Sequence, residues 1–392
     1  MTASRTDVLV VGGGPVGVFL GALLAANGVD VTVWEQRTAV PSGSRAIGIH
    51  PPSLDALAAV GAADPILAEG VRVREGVARS RGRTLGTLSF ARASSTHPYV
   101  VTLDQSRSEA ILRDRLRASS PGALRTGVAI TGLQRSGDHV DVTGASEGGG
   151  TVSIRASFVV GADGARSTVR ELLGIGTSGR DYADRYVMGD FADPEPASRE
   201  SSALVDVGPD GVVESFPLPG ARRRYVALRG AEPLEDPSGG ADPQVAAALA
   251  AVVRSRTGAE PDPATCTMTS GFGVRRRTAD RIGIGRVVLI GDAAHEISPI
   301  GGQGMNLGWL DAAELAPLLT DAVRGGAAGP WPDFARRRTV VARRAARQAE
   351  ANMALGRPVR GVARVSREAG LRAALALPSA DLLARVYAMR WS

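Results

Sequence analysis

The sequence contains no lysine, since all 46 of its basic residues are arginines. A P-loop needs a lysine on the nucleotide phosphates and a pyridoxal-phosphate enzyme needs one for its Schiff base, so both classes are excluded. The single cysteine, Cys266, excludes an intramolecular disulfide, and four histidines with one cysteine suggest no metal site. No apolar run is long enough to span a bilayer and no signal peptide is evident, so we expect a cytoplasmic protein without integral membrane association.

Aromatic residues make up only 4% of the chain, which favours an aliphatic ligand pocket over one lined by stacked rings. The net charge of +6 is concentrated in the last segment, Trp331–Ser392, which carries 13 arginines and four acidic residues. That segment shows no interleaved aromatics and no recognised nucleic-acid motif. We therefore expect a helical tail with a solvated basic face and no nucleic-acid partner.

The segment "DVLVVGGGPVGVFLGALLAANGVDVTVWEQR" predicts a strand, a turn, a helix and a second strand. Asp7–Val11 is a continuous apolar run, as in a strand that is buried on both faces. Val16–Asn27 has helical periodicity, and Gly28 ends it. Val29–Trp34 then predicts the second strand, so the segment has the order of a nucleotide-binding unit.

The turn between the first strand and the helix carries Gly12, Gly14 and Gly17 in G-x-G-x-x-G spacing. These glycines allow a tight turn, a backbone close to a pyrophosphate, and close packing of helix on strand. The helix N-terminus presents N–H groups to that pyrophosphate. Glu35 follows at the end of the second strand, where a carboxylate can accept the hydroxyls of an adenosine ribose. The unit predicts a dinucleotide, with FAD and NAD both open at this point.

Two later segments repeat the strand-and-turn pattern. "SFVVGADGARSTVRELLG" (157–174) places Asp163 in a turn, where it either contacts a cofactor or caps the following helix. "GRVVLIGDAAHEISPIGGQGMN" (285–306) places Asp292 after a strand at Val287–Ile290, where ligands of parallel sheets bind. Asp292 can then hydrogen-bond a polyol, and the Gly301–Gly304 turn can present N–H groups to a reduced flavin. NAD offers neither group, so these segments favour FAD.

The three motifs in this order resemble those of the class A flavin monooxygenases, the para-hydroxybenzoate hydroxylase type. "SRAIGIHPPSLDALAAVGAADPILAEG" and "LDQSRSEAILRDRL" resemble two further segments of that family. The motifs and the resemblance together predict cofactor contacts at Gly12, Gly14, Pro15, Val16, Gly17, Glu35, Gln36, Arg37, Arg45, Gln105, Asp163, Gly164, Gly291, Asp292, Gly302, Gly304, Met305 and Asn306.

The resemblance implies an α/β fold with a discontinuous Rossmann-like FAD-binding domain of the GR2 type, formed by residues 1–75, 100–176 and 272–330. An inserted mixed β-sheet substrate domain is expected at residues 76–99 and 177–271, and a C-terminal helical segment at 331–392. Within the substrate domain, "RRRY" at Arg222–Tyr225 is expected to form a solvated strand edge, with contact to an anionic substrate as the alternative. The expected assembly is a monomer or a homodimer.

The resemblance also implies the chemistry. NADH or NADPH reduces the FAD, O2 then adds to give a flavin C4a-hydroperoxide, and the substrate takes one oxygen atom from it. The protein places the reactants and excludes water, with Pro299 and Gly302 forming the flavin environment and no side-chain nucleophile. His295 is expected to be structural. The substrate is expected to be an aromatic or polyketide-like small molecule, hydroxylated, epoxidised or oxidised in a Baeyer–Villiger reaction during natural-product tailoring or antibiotic modification.

Two alternatives remain open from the sequence. An FAD-dependent reductase or dehydrogenase would use the same flavin contacts without oxygen insertion. A non-catalytic FAD-containing ligand-binding protein is disfavoured by Asp292, Pro299 and the glycine turn, because binding alone needs no prepared flavin edge. A flavin-dependent halogenase uses a lysine, which this chain lacks.

Overall fold

A computed structural model describes residues 4–40, 46–194, 201–229, 240–325, 329, 331–377 and 380–390. Its α-helices are α1 Pro15–Ala26, α2 Pro51–Ala58, α3 Ala63–Glu69, α4 Gln105–Ser119, α5 Thr168–Leu172, α6 Pro243–Thr257, α7 Gly304–Gly325, α8 Trp331–Gly356, α9 Gly361–Ala376 and α10 Ala380–Tyr387. Its strands are β1 Ser4–Val11, β2 Val31–Glu35, β3 Gly48–Ile49, β4 Val71–Val73, β5 Glu75–Ser80, β6 Arg83–Ser89, β7 Val100–Thr102, β8 Leu124–Thr126, β9 Val128–Arg135, β10 Val140–Ser146, β11 Thr151–Gly161, β12 Thr177–Ala192, β13 Ser202–Gly208, β14 Gly211–Leu218, β15 Arg222–Arg229, β16 Met268–Ala279, β17 Gly283–Ile284, β18 Val287–Leu289 and β19 His295–Glu296.

The first sheet has a parallel centre. Its strand order is β17-β18-β11-β1-β2-β8, and β9 and β10 extend β11 as an antiparallel meander. Leu9 of β1 pairs with Val159 of β11 on one side and with Thr32 of β2 on the other. The apolar runs form these strands because both faces are covered, and Val8, Leu9 and Val10 have no exposed surface. The carboxyl ends of β1, β2, β11 and β18 therefore bring the three predicted motifs to one edge.

The second sheet is mixed and has the order β19-β16-β12-β15-β14-β13-β5-β6. Strand β13 runs parallel to β5, and the other pairs are antiparallel. A three-stranded sheet, β3-β7-β4, accompanies the two larger ones. The α/β fold with a second mixed sheet is as predicted. The predicted domain boundary at residue 271 falls inside β16, and the exact division into domains remains a prediction.

The expectation that Arg222–Tyr225 forms a solvated strand edge was wrong. These residues lie in β15, between β12 and β14, inside the second sheet. Arg223 and Arg224 are buried, and each pairs with a carboxylate: Arg223 Nε lies 2.8 Å from Asp193, and Arg224 makes bonds of 2.7 and 2.8 Å to Asp190. Arginine tolerates such burial because its planar guanidinium matches a carboxylate, which the sequence pattern alone does not reveal.

The C-terminal segment is helical, as predicted, and takes part in the core. Helix α8 packs against α7, while α9 and α10 pack on strand β6 of the second sheet. The fit of α9 is close, since a Cβ on Gly86 of β6 would lie 2.7 Å from Leu375 of α9. Within the described ranges, no helix is both long and apolar enough to cross a membrane.

Candidate active site

A large cavity lies between the two main sheets and receives residues from both. Its volume is about 1190 Å³. Pockets for a single drug-sized ligand usually measure about 300 to 1,000 Å³, so this cavity has room for more than one such molecule. One end is formed by turns at the carboxyl edge of the first sheet, which we call the glycine end. The other is formed by the inner face of the second sheet, which we call the sheet end.

The three glycines of the first turn have different surroundings. A Cβ on Gly12, whose φ is +108°, would lie 2.3 Å from the carbonyl oxygen of Ala162, and a Cβ on Gly17 would lie 1.9 Å from that of Gly12. Both positions need glycine for packing. A Cβ on Gly14 would meet nothing closer than Arg37 at 3.9 Å. The space in front of Gly14 lies at the N-terminus of α1, where backbone N–H groups favour an anion.

Glu35 ends β2 and is held by its neighbours. One carboxylate oxygen accepts bonds of 2.9 Å from the backbone N–H of Arg37 and 2.8 Å from its Nε, and the other accepts a 2.8 Å bond from the N–H of Gly13. Burial acts to raise the pKa of Glu35, but the hydrogen bonds and the charge of Arg37 outweigh it and hold the pKa below its usual range. Glu35 is therefore an ionised acceptor. Because the Arg37 side chain is largely exposed, it can turn away and free acceptor sites for ribose hydroxyls.

Asp163 lines the cavity and also caps α5. Its carboxylate accepts a 2.5 Å bond from the hydroxyl of Ser167 and a 3.0 Å bond from the N–H of Val169. Burial nevertheless raises its pKa. The capping role considered from the sequence is thus present in the structure. Gly164 follows with φ +79° and nothing within 4 Å of its Cβ position, so the turn leaves open space beside the cavity.

Asp292 presents its side chain to the cavity from the short 3-10 turn Gly291–Ala293. The Asp292 side chain is exposed to the interior of the cavity, and the surrounding protein limits its access to bulk water. Burial raises the pKa of Asp292 to about 6, and the charges of Glu296 and Asp311 add to the effect. No protein hydrogen bond to this carboxylate is found among the described residues. A polyol hydroxyl would satisfy it.

Hydrogen bonds fix the conformation of the turn before α7. The N–H of Gly302 donates 2.9 Å to the carbonyl of Pro299, and Gly301 between them has φ +93°. Asn306, fully buried, accepts a 2.9 Å bond from the N–H of His50 and donates 2.8 Å to the carbonyl of Gly302. The first N–H groups of α7 therefore follow a turn of fixed conformation. Gly302 of this turn and Gly304 at the start of the helix line the cavity.

A buried charge cluster supports the Gly291–Ala293 turn, and its members Asp311 and Arg338 were not predicted. His295 Nε2 lies 2.7 Å from one oxygen of Asp311, which also accepts a 2.9 Å bond from the N–H of Gly291. Arg338 of α8 donates 2.5 Å to the other oxygen. Burial acts to raise the pKa of Asp311, but His295 and Arg338 lower it to about 2. Since the predicted role of His295 is structural, its place in this cluster agrees with that expectation.

The predicted site residues mostly come together. Those that line the cavity are Gly12, Gly14, Pro15, Val16, Glu35, Gln36, Arg37, Gln105, Asp163, Gly164, Gly291, Asp292, Pro299, Gly302, Gly304 and Met305. Gly17 and Asn306 lie behind the lining and shape it through packing and hydrogen bonds. Arg45 lies outside the described residues.

Of the side chains at the sheet end, the sequence analysis named only Arg224, as part of the stretch Arg222–Tyr225. The second sheet contributes Glu214, Phe216, Arg224, Val226 and Phe272, and the C-terminal helices contribute Leu371, Leu375 and Tyr387. Three of these eight side chains carry rings, Phe216, Phe272 and Tyr387, so this end is more aromatic than the low aromatic content of the chain had indicated. Period-two alternation within the strands is a signal that could have indicated the inward face, but the contribution of α9 and α10 has no local signature.

The chain matches the family model described as FAD binding domain over residues 5–349. It is 35% identical over 329 residues to a 6-methylpretetramide 4-monooxygenase of Streptomyces rimosus, covering 83% of this chain and 57% of that enzyme. It is 33% identical over 334 residues to a rifampicin monooxygenase of Streptomyces venezuelae, covering 82% and 65% of the two chains. The chain thus spans less than two thirds of the length of these relatives.

Among solved structures, that of p-nitrophenol 4-monooxygenase from Pseudomonas putida DLL-E4 is similar over nearly the whole molecule. The TM-score is 0.89 at 25% identity, with 99% of each chain covered. The arrangement of two sheets and C-terminal helices is therefore shared with an enzyme of about the same length.

Proposed function

The chain belongs to the FAD binding domain family, and on that premise we propose that it is a class A flavin monooxygenase using FAD, NADH or NADPH, and O2. The proposed reaction inserts one oxygen atom into an aromatic or polyketide-like small molecule, as in natural-product tailoring or antibiotic modification. The observation that carries the proposal is that one continuous cavity joins the glycine-rich turns of the first sheet to the inner face of the second.

The residues at the glycine end fit FAD. The open space before Gly14 and the N-terminus of α1 suit the pyrophosphate, and Glu35 suits the adenosine ribose. Asp292 suits the ribityl chain, because its carboxylate faces the cavity with no protein partner among the described residues. The turn at Gly302 and the first N–H groups of α7 suit the flavin N1 and C2 edge. We propose these four contacts together as the FAD site.

Bound FAD would supply the redox chemistry and the activation of O2. The chain's own contribution is placement. The N-terminus of α7 provides a positive dipole end where negative charge develops, and Pro299 forms a wall beside the ring position. Apolar residues at the sheet end, including Val226 and Phe272, exclude water from the reacting atoms. No side-chain nucleophile is required in this scheme.

The proposal is tested on the purified protein by an absorbance spectrum, followed by NADH and NADPH oxidation in air with a panel of phenolic and polyketide compounds. We expect a yellow protein whose NAD(P)H oxidation rises with at least one compound and yields a product heavier by one oxygen atom. Mass spectrometry of products formed under labelled O2 identifies the source of that atom.

A colourless protein that FAD does not reconstitute would overturn the proposal. A yellow protein that oxidises NAD(P)H and reduces the added compound, with no incorporation of labelled oxygen, would replace it by a reductase.

A further inference from the structure

Glu214 places a carboxyl group on the inner face of the second sheet. It lies in β14, where its register partners are Val205 of β13 and Val226 of β15. Side chains alternate along a strand, so Glu214 shares its face with Phe216, and both line the cavity. The carboxyl group therefore projects from among apolar neighbours into the sheet end of the cavity.

The Glu214 carboxyl has no protein partner in the described parts of the chain, since neither a hydrogen bond nor an ion pair reaches it. Burial alone raises its pKa to about 7. Glu214 is partly buried, and a polar group that loses water on ligand binding without gaining a partner is costly. Because the carboxyl faces the cavity, a molecule bound there is in a position to supply the missing donor.

The neighbours of Glu214 leave its carboxylate able to accept a hydrogen bond at the sheet end of the cavity. Tyr186 of β12 and Tyr387 of α10 lie near it, and burial raises the pKa of both phenols, with the negative charge of Glu214 adding to the effect. Arg224 of β15 lines the same end of the cavity, but Asp190 holds it through two bonds of 2.7 and 2.8 Å. The packed elements β13, β5 and α9 present the apolar side chains Val205, Ala78 and Leu371.

Arg224, which could otherwise attract a substrate carboxylate, is thus already paired with Asp190. The carboxyl group of Glu214 remains able to accept a hydrogen bond from a ligand. Resting on the proposed function, we propose that Glu214 determines substrate class by accepting a hydrogen bond from a phenolic or enolic hydroxyl group. The cavity then takes neutral hydroxylated ring compounds and rejects aromatic carboxylates, which Glu214 repels.

The test compares the binding of 2-naphthol and 2-naphthoate to the FAD-loaded protein through changes in the flavin absorbance spectrum at about pH 8. The wild-type protein is expected to bind 2-naphthol at least about tenfold more tightly than 2-naphthoate, the size of effect that a hydrogen bond to a charged group gives. In Glu214→Gln this preference should fall by about tenfold, because an amide no longer repels a carboxylate and can donate to it.

Asp210→Asn is the matched control, since it removes a more exposed carboxylate from the turn that joins β13 to β14. It should keep the wild-type preference. A Glu214→Gln protein with the wild-type preference would overturn the inference, as would a wild-type protein that prefers 2-naphthoate or binds neither probe.

A second readout needs no variant. Between about pH 6 and pH 8 both probes keep their charge while Glu214 ionises, so the wild-type preference for 2-naphthol should grow with pH and Glu214→Gln should show no such rise. A flat wild-type profile would count against the inference. These binding results are separate from turnover: a protein with the expected preference that transfers oxygen to no compound would overturn the proposed function while supporting the binding preference.

Discussion

The glycine end and the sheet end of the cavity are built on different principles. The glycine end is made of backbone, with turns at Gly12, Gly164 and Gly301 that require positive φ angles. The sheet end is made of side chains that project from strands far apart in the sequence and from the C-terminal helices. The difference teaches that a cofactor site can be formed by local turns, whereas the site for a particular substrate is formed by side chains brought together by tertiary structure.

The two ends also differ in charge. At the glycine end, Glu35 is bonded to Arg37, and Asp163 caps a helix. At the sheet end, Glu214 meets no partner within the described ranges. At the glycine end, Glu35 and Asp163 are thus held by protein groups before any ligand binds, and Asp292 is left for the cofactor, while at the sheet end Glu214 is left for the substrate.

Gly12→Ala should have the largest effect, because it breaks the turn itself. The new Cβ would lie 2.3 Å from Ala162 O at a φ of +108°. Strain and overpacking together should lower the free energy of unfolding by about 3 kcal/mol or more and abolish FAD binding. The measurement is thermal unfolding with FAD content. As a control, Gly28→Ala has an open Cβ position at φ +73° and should keep its FAD at a cost of about 1 kcal/mol. Equal behaviour of the two variants would contradict the packing role of Gly12.

Arg338→Ala tests the buried ion pair between Arg338 of α8 and Asp311 of α7. The change leaves the buried Asp311 carboxylate without its arginine, so the free energy of unfolding should fall by about 3 to 5 kcal/mol. Denaturant unfolding measures it. Arg336→Ala removes an exposed i,i+3 pair with Asp333 and should change stability by less than about 1 kcal/mol. A similarly small loss of stability for Arg338→Ala would mean that the His295, Asp311 and Arg338 cluster does not support the Gly291–Ala293 turn.

Asp292→Asn tests the junction between the two ends. Loss of the charged acceptor should weaken FAD affinity by about 10- to 100-fold, the range for a hydrogen bond to an ionised group. The protein itself should fold normally, since no described protein group bonds this carboxylate. Titration of the FAD-free protein with FAD measures the affinity. An unchanged dissociation constant would remove Asp292 from the proposed site.

Glu214→Gln should have the smallest effect, and unlike the other variants it should raise the free energy of unfolding. The folded-state pKa of about 7 lies above that of an unfolded glutamate, so the wild-type protein loses stability as pH rises from about 4.5 through 7. The variant should therefore be more stable than the wild type by about 1 to 2 kcal/mol at pH 8, with almost no difference at pH 4.5. Urea unfolding at both pH values measures this. A variant that is less stable at pH 8 would show that Glu214 is satisfied within the protein.

The contrast between the glycine end and the sheet end explains how much of the structure the sequence could predict. The strand, turn and helix around Gly12 were predicted to within three residues at every boundary, because a buried parallel strand and a glycine turn each have a local pattern. The resemblance to class A flavin monooxygenases rested on such patterns and is confirmed by the family match. The buried pairs of Arg223 and Arg224 were not predictable, because Asp190 lies on another strand, β12, and Asp193 directly follows that strand.

The same limit applies to Glu214 and Tyr387. They approach one cavity from β14 and α10, which are separated by more than 150 residues, and neither segment has a motif. Asp311 was missed for a related reason. It lies in an amphipathic helix, where an acidic residue is usually solvated, and only the tertiary contact with Arg338 and His295 shows its role.

The most direct test of the central claim is a titration of the FAD-free protein with FAD, comparing wild type with Gly14→Ala. A Cβ at position 14 meets no protein atom closer than 3.9 Å, so the variant should fold with an unchanged melting temperature. If the space before Gly14 holds the FAD pyrophosphate, the added methyl group will weaken FAD binding by at least about tenfold. An FAD affinity equal to that of the wild type would contradict the claim.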